Sequence, residues 1–317
     1  MTAYIVRRLG IAVPTLLAVS VILFSLLHLA PGGPMAIYAS NPQADPAQLE
    51  EIERRLGLRD PVPIQYSKWL FGMLTGDWGL SYKYARAVSG VIGERVGPSL
   101  QLMGASLLIA FVLAIPFGVL SAVSRRRIVQ YGASMLSMLG LSLPTFWLGM
   151  MLLLLLSVRF RLIPSGGMGP VGQELGLLDR LHYLIAPAFV LATLEIASWS
   201  RYVRSSMLEA IGQDYVRTAR AKGLGDRAVL YGHALRNALL PLITLVGLQG
   251  GRLVGGAVIT EVVFAWPGMG RLLTESLAAR DYPVVMATFM IMAVLVILGN
   301  LIADVCYGIA DPRIRLS

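Results

Sequence analysis

The sequence is short of charge, of cysteine and of lysine, and each shortage removes a class of protein. Charged residues make up 14% of the 317 positions and hydrophobic ones 56%, where a soluble domain carries about 25% charged residues. That composition argues against a water-soluble globule. The single cysteine, Cys306, has no second thiol with which to close a disulfide or build a thiolate metal site. Lys68, Lys83 and Lys222 are the only lysines among 27 basic residues, and none of them follows a glycine. The Gly-Lys pair of a phosphate-cradling loop is therefore missing. His28, His182 and His233 are too scattered for zinc-protease spacing, and there is no Gly-x-Ser-x-Gly elbow. No catalytic residue, metal ligand or bound cofactor is expected on this chain. The net charge of +9 would suit a nucleic acid if Lys and Arg gathered on one polar face. Here they stand between apolar runs, and a nucleic-acid partner is not expected.

What the sequence does have is long apolar runs: Leu9–Ala30, Leu100–Val123, Ala133–Val158, Leu184–Ser200, Ala238–Thr260 and Val284–Ala303. A helix crossing a bilayer needs roughly 20 mostly apolar residues, so the chain is expected to be an all-α polytopic membrane protein with six transmembrane helices, in contact with membrane lipid. Leu9–Ala30 exceeds the apolar core of a signal peptide and lacks its small-residue cleavage site, so it is expected to stay as an anchor. Pro14, Pro116, Pro144, Pro187 and Pro241 lie in or at the ends of the runs, as kinks that membrane helices tolerate.

Orientation follows from the rule that basic loops stay cytoplasmic. Arg7 and Arg8, Arg125–Arg127, the segment 201–237 with seven basic residues against Glu209, Asp214 and Asp226, and Arg313 with Arg315 all fall on one side. The opposite segment, Pro31–Ser99, balances seven bases with seven acids. Both termini are expected inside. The expected division is residues 1–30 for the N-terminal end and first helix, then 31–96 for a periplasmic segment with short helices. Residues 97–304 then form a transmembrane domain holding the cytoplasmic loop 201–237, and 305–317 form a cytoplasmic tail. Within the outer segment, Leu49, Ile52 and Leu56 share a face of a short helix opened by Asp45-Pro46 and ended by Gly57. A second helix is expected over Ile64–Leu74, before the turn-like Gly76-Asp77-Trp78-Gly79.

The segment Asp214–Leu224 has the shape of a contact element. Small residues Thr218, Ala219 and Ala221 leave room for another protein, while Arg217, Arg220 and Lys222 surround them with charge. Gly223 is expected to break the helix and Asp226 to cap the next one. A basic loop that simply obeys the positive-inside rule is the plainer account of the same residues.

This stretch resembles the cytoplasmic coupling segment of type I ABC importer permeases, in the branch serving dipeptides, oligopeptides and nickel. Tyr4-Ile-Val-Arg-Arg-Leu9, Leu29-Ala-Pro-Gly32, Pro144-Thr-Phe-Trp-Leu-Gly149, Ile163-Pro-Ser-Gly166, Gly255–Phe264 and Trp266-Pro-Gly-Met-Gly270 carry the likeness along nearly the whole chain. Two features depart from the wider superfamily: Arg217 and Thr218 replace the first positions of its Glu-Ala-Ala signature, and the distance from Gly223 to Pro241 is longer. The resemblance implies the type I permease fold in a bacterial inner membrane. It implies a heterodimer with a second permease, two ATPase subunits holding ATP and magnesium, and a periplasmic or lipid-anchored solute-binding protein. Arg217, Thr218, Ala219, Arg220, Ala221, Lys222, Gly223 and Leu224 would be the coupling helix docked on an ATPase. The expected cargo is a di- or oligopeptide, with nickel, glutathione and oligosaccharides as rivals. A channel or secondary transporter working without an ATPase is the alternative, against which stands the lack of paired inverted repeats.

Two buried charges and one turn complete the candidates. Glu195 and Arg252 differ in depth by about 9 Å at 1.5 Å per residue. They are either a structural ion pair or part of the translocation path, because a charge at the bilayer centre has to face protein or water. Glu261, Trp266, Pro267 and Gly268 form an outer turn that either docks the binding protein or simply connects helix to loop.

Overall fold

The computed structural model describes the backbone of residues 2–29, 35, 50, 53–54, 57–170, 172–173, 175–239, 242 and 257–310, and side-chain surroundings between residues 7 and 302 of that set. The described residues are mostly helical. They fall into two compact units, Thr2–Pro98 with Gly268–Ile297, and Ser99–Pro267 with Leu298–Ser317.

In the first unit, α1 (Thr2–Leu29) meets α2 (Val62–Thr75). Phe24 anchors the pair, with ring centroids 5.4 Å from Tyr66 and 5.8 Å from Trp69. Ser20 and Tyr66 share a hydrogen bond of 2.8 Å, and His28 Nε2 lies 3.0 Å from Gln65 Oε1. Elsewhere α1 exposes Ile11, Val13, Ile22 and Leu26, the surface expected of a helix facing lipid tails. α2 covers the expected helix with a residue or two to spare: Pro63 sits in its first turn, where a missing N–H costs nothing, and Gly76 ends it at φ +87°. The helix expected near Leu49–Leu56 lies mostly outside the described residues.

A buried carboxylate fastens the loop after α2. Asp281 accepts hydrogen bonds from Ser81 Oγ at 2.5 Å and from the backbone N–H groups of Tyr82 and Lys83 at 3.1 Å each. Below it Val88, Val91 and Ile92 from the start of α3 (Val88–Val123) pack against Met269 and Leu272 of α9 (Met269–Ala278) and Val284 and Ala287 of α10 (Tyr282–Ala310). Glu275 of α9 collects Lys83 Nζ at 3.1 Å, Tyr84 Oη at 3.1 Å and Arg271 Nε at 2.7 Å.

The second unit is built around α6 (Leu177–Ile211), which buries Val190, Leu191, Ala192, Trp199, Val203 and Met207 along one stripe. The later part of α3 supplies Ala110, Ala114 and Val119 to the same core, small enough to let the backbones approach closely. α4 (Arg127–Ser142) and α5 (Thr145–Leu152) occupy the run expected as a single span. They are bent by 102° at the break between them. The cause is local: proline has no N–H to give, and it drives the preceding residue out of helical space. Leu143 accordingly sits at φ −80°, ψ 124°. Pro144 is a corner rather than a mild kink. α5 runs on as a wider π turn over Leu153–Arg159.

Among the described residues, four helices can cross a membrane by length and composition, Arg7–Leu29, Val88–Val123, Leu177–Ile211 and Tyr282–Ile302, and the bent α4–α5 pair makes a fifth if it counts as one span. α3 and α6 reach well past the expected limits of Leu100 and Leu184; at 1.5 Å per residue they outrun a hydrocarbon core of about 30 Å. The run Ala238–Thr260 lies mostly outside the described residues, which rejoin as helix at 257–263.

Candidate coupling and translocation site

At the end of α6 the chain turns at Gly212 into α7, Asp214–Ala221. Eight residues make an isolated helix marginal in water, so α7 depends on what it buries. Val216 is fully buried and Ala219 nearly so, both in the core cluster that holds Trp199, Val203 and Met207. Burying one valine stabilises by about 1.5–3 kcal/mol, enough to seat a short helix. The opposite face is free for contact: Arg217, Thr218, Arg220, Ala221, Lys222, Gly223 and Leu224 are all exposed. Ala219 alone of the eight expected coupling residues points inward.

The helix stops where the sequence says it must. Gly223 takes φ +81°. Its N–H donates to the Arg220 carbonyl at 2.9 Å while Leu224 N–H reaches back to Ala219 at 3.3 Å. This paired closure satisfies the orphan carbonyls of the last turn and needs a left-handed residue, for which glycine pays no Cβ penalty. The chain resumes as α8, whose first turn Asp226–Ala228 continues in π form over Val229–Ala234 and as α over Leu235–Ala238. Asp226 does not cap it. Gly225 holds the cap position, and Asp226 stands one residue inside, where its charge suits the helix N-terminus. Val229, Ala234 and Ala238 return to the same core as α7.

The charges of this elbow are loosely tied. Arg217 lies 3.5 Å from Asp214 and Arg220 3.7 Å from Asp226, with all four side chains largely in solvent. Exposed pairs of this kind contribute about 0–1 kcal/mol, so the arginines remain available to a partner. Around them Leu208, Tyr215, Leu224 and Tyr231 are exposed apolar side chains. The elbow is thus a basic, partly apolar projection seated on the core through Val216 and Ala219.

Of the two charges expected in the spans, Glu195 is 3% exposed on the buried stripe of α6; Arg252 lies outside the described residues. The outer-turn candidates divide. Glu261 and Trp266 are buried, the first accepting a hydrogen bond from Ser99 Oγ at 2.5 Å, the second packed with Leu102, Ala188 and Leu191. Their side chains therefore serve the interior. Pro267 is half-buried, and Gly268 starts α9 in the other unit.

The turn itself brings together three sequence motifs that lie far apart in the chain. Ala265 sits at φ +50°, closing the helix with Trp266 N–H on Glu261 O at 2.8 Å. The Ile163–Gly166 loop folds against it, so that Gly167 N–H donates to Phe264 O at 2.8 Å. A Cβ on Gly149 of α5 would sit 3.1–3.2 Å from Val263 and Phe264. In the sequence these motifs are separate; in the structure they form one joint. Asp281 is not legible in the sequence, where it looks like an ordinary polar residue before a span.

Comparison with known proteins agrees with this layout. Residues 114–316 match the family described as binding-protein-dependent transport system inner membrane component, and residues 1–97 match its N-terminal membrane-component model. The chain is 46% identical over 316 residues to the oligopeptide transport system permease protein AppB of Bacillus subtilis (strain 168), covering 99% of this chain and 100% of that one. It is 39% identical over 336 residues to the dipeptide transport system permease protein DppB of Escherichia coli (strain K12), covering 99% of both. Among solved structures, a chain from inward-facing conformations of the MetNI methionine ABC transporter superposes with a TM-score of 0.56 at 20% identity, over 70% of this chain and 96% of its own. That likeness shows a shared fold. A self-sufficient channel or secondary transporter is set aside, as is an enzyme. The chain is a multi-pass transport subunit of the inner membrane, and it belongs to the family of inner-membrane components of binding-protein-dependent transport systems.

Proposed function

We propose that the chain forms half of the translocation path of an ATP-driven importer of di- or oligopeptides, delivered by a solute-binding protein. The family works with a further permease, ATPase subunits and a binding protein. The finer reading is a heterodimer with one homologous permease, served by two ATPases that hold the ATP and magnesium. Full-length similarity to permeases named for oligopeptide and dipeptide transport supports the cargo. Six spans with both termini inside, the run 238–260 being the fifth in chain order, put the elbow on the ATPase side in this reading.

One observation carries the mechanism: α7 is exposed on its basic face, sealed into the core on its other face and closed by a hydrogen-bonded glycine turn. A nucleotide can shift a transporter between states only through contacts that differ between those states. A helix welded at its rear to α6 and α8 passes such a difference into the bundle as rigid motion. In this reading Glu195, buried on α6, either lines the path or forms a structural ion pair with Arg252.

The test is Gly223→Pro in the assembled complex. Proline cannot reach φ +81° and has no N–H for Arg220. ATP hydrolysis should persist while peptide uptake falls at least tenfold, with the permease still inserted. Uptake within twofold of the parent, or failure of any ATPase to co-purify with the parent chain, would refute the coupling role.

A further inference from the structure

A cavity of about 400 Å³ opens between the end of α3, the middle of α4 and the last turns of α6, lined chiefly by Ser121, Ser134, Ser137, Ser200, Arg201 and Arg204. Its size falls in the range of small-molecule sites, about 300–1,000 Å³, and its lining carries no acidic side chain. Ser121, Ser137 and Ser200 are buried. Arg204 Nε is buried without a hydrogen-bond partner among the described residues. A buried guanidinium N–H left unpaired is costly, so this donor calls for an anion or another acceptor.

The serines are different in kind from the arginines. Ser121 Oγ donates to Gly118 O at 2.8 Å, Ser134 Oγ to Gln130 O at 3.0 Å and Ser137 Oγ to Ala133 O at 2.9 Å. Ser200 Oγ lies 3.2 Å from Ala197 O and 3.1 Å from Ser137 Oγ. With their protons committed to helix carbonyls or, between Ser137 and Ser200, to the partner hydroxyl, these serines offer lone pairs. The cavity thus presents fixed cations on α6 and acceptors on α3 and α4. Beside it the exposed side of α4 shows Ile128, Tyr131, Met135 and Met138 at helical spacing, an apolar stripe suited to acyl chains.

We infer that this cavity holds the headgroup of a membrane phospholipid, its phosphate on Arg201 and Arg204 and its hydrogen-bond-donating end, ethanolamine or glycerol, on the serine oxygens. Arginine matches phosphate with paired N–H groups, and basic pockets between membrane helices are recognised lipid sites. The selectivity is the distinctive part. A choline headgroup carries the same phosphate but has no N–H or O–H to give. The inference does not depend on which solute is carried.

The assembled transporter, stripped of lipid in detergent, is titrated with phosphatidylethanolamine, phosphatidylglycerol and phosphatidylcholine of identical acyl chains, and with sodium phosphate, retention being read by native mass spectrometry. Ethanolamine and glycerol lipids should be retained at least fivefold more tightly than the choline lipid, and the double variant Arg201→Gln, Arg204→Gln should lose at least tenfold of that binding. If that variant does not assemble, Ser134→Ala with Ser137→Ala decides: it should erase the preference over choline while lipid binding persists. Equal retention of all three lipids by the parent, or unchanged preference in whichever variant is measured, overturns the assignment. So does displacement of the lipid by millimolar inorganic phosphate, which would make this a free-anion site, or by a dipeptide, which would make it part of the solute path.

Discussion

A methyl group at position 166 would stand 2.6 Å from the carbonyl oxygen of Phe264, on a residue whose φ of +152° side chains rarely adopt. Both faults are backbone faults, so neither can be relieved by turning a rotamer. Strained backbone costs about 1–3 kcal/mol and overpacking a similar amount. Gly166→Ala should therefore lower stability by about 2–4 kcal/mol, whereas the exposed neighbour Ser165 tolerates alanine within about 0.5 kcal/mol. Thermal unfolding of the two variants in detergent checks the difference; equal midpoints would show that the joint of loop and turn is not under this constraint. Glu261 and Trp266 teach the complementary lesson. In the sequence they read as part of an outer turn that either docks a partner or simply connects helix to loop, and in three dimensions their side chains are engaged with Ser99 and with the core around Leu102.

At the scale of elements, the loop after α2 is held to α9 by charge, and its strength should follow pH. Burial opposes the charge of Glu275, but the bonds from Lys83 and Arg271 outweigh it and hold its carboxyl below the ordinary value of 4.5. Burial likewise opposes the charge of Lys83, and its bonds to Tyr84 and Glu275 raise it above 10.5. A lowered carboxylate stabilises fully above its unfolded value and loses that contribution as pH falls through the folded one. A raised ammonium stabilises fully below 10.5 and fails as pH climbs past its folded value. The tie should hold from about pH 5 to pH 10 and weaken on the acid side first. Amide exchange at Tyr84 and Ala85 across pH 3 to 7, corrected for intrinsic rates, should show the acid loss, and Glu275→Gln should abolish its pH dependence. The helices themselves were largely legible: apolar runs, Gly76 after α2 and Gly223 after α7 all announce themselves. The 102° corner at Pro144 was not, because a proline inside an apolar run reads the same whether a helix bends slightly or turns away. Asp281 was hidden for a related reason: its partners are 198 to 200 residues distant, and a composition window sees neighbours only.

At the scale of the whole molecule, the proposed arrangement has a definite sidedness. In a Cys306→Ser background, a cysteine placed at the exposed Lys68 should react with a membrane-impermeant maleimide in spheroplasts. One at the exposed Arg126 should react only after the membrane is opened. The reverse pattern would turn the bundle over and put the α7 elbow beyond reach of any cytoplasmic motor. The pattern of arginines supports the expected answer, since 125–127 and the elbow's cations stand at corresponding ends of their helices.

The Asp281 clasp also bears on how the chain is made. Ser81 is translated 200 residues before the carboxylate that receives it. Throughout most of synthesis the 79–87 loop has therefore no anchor, and its lobe can be finished only when the final hydrophobic segment is leaving the ribosome. A product truncated before Asp281 would lack the carboxylate to which Ser81, Tyr82 and Lys83 donate, and its 79–87 loop would stay unfastened.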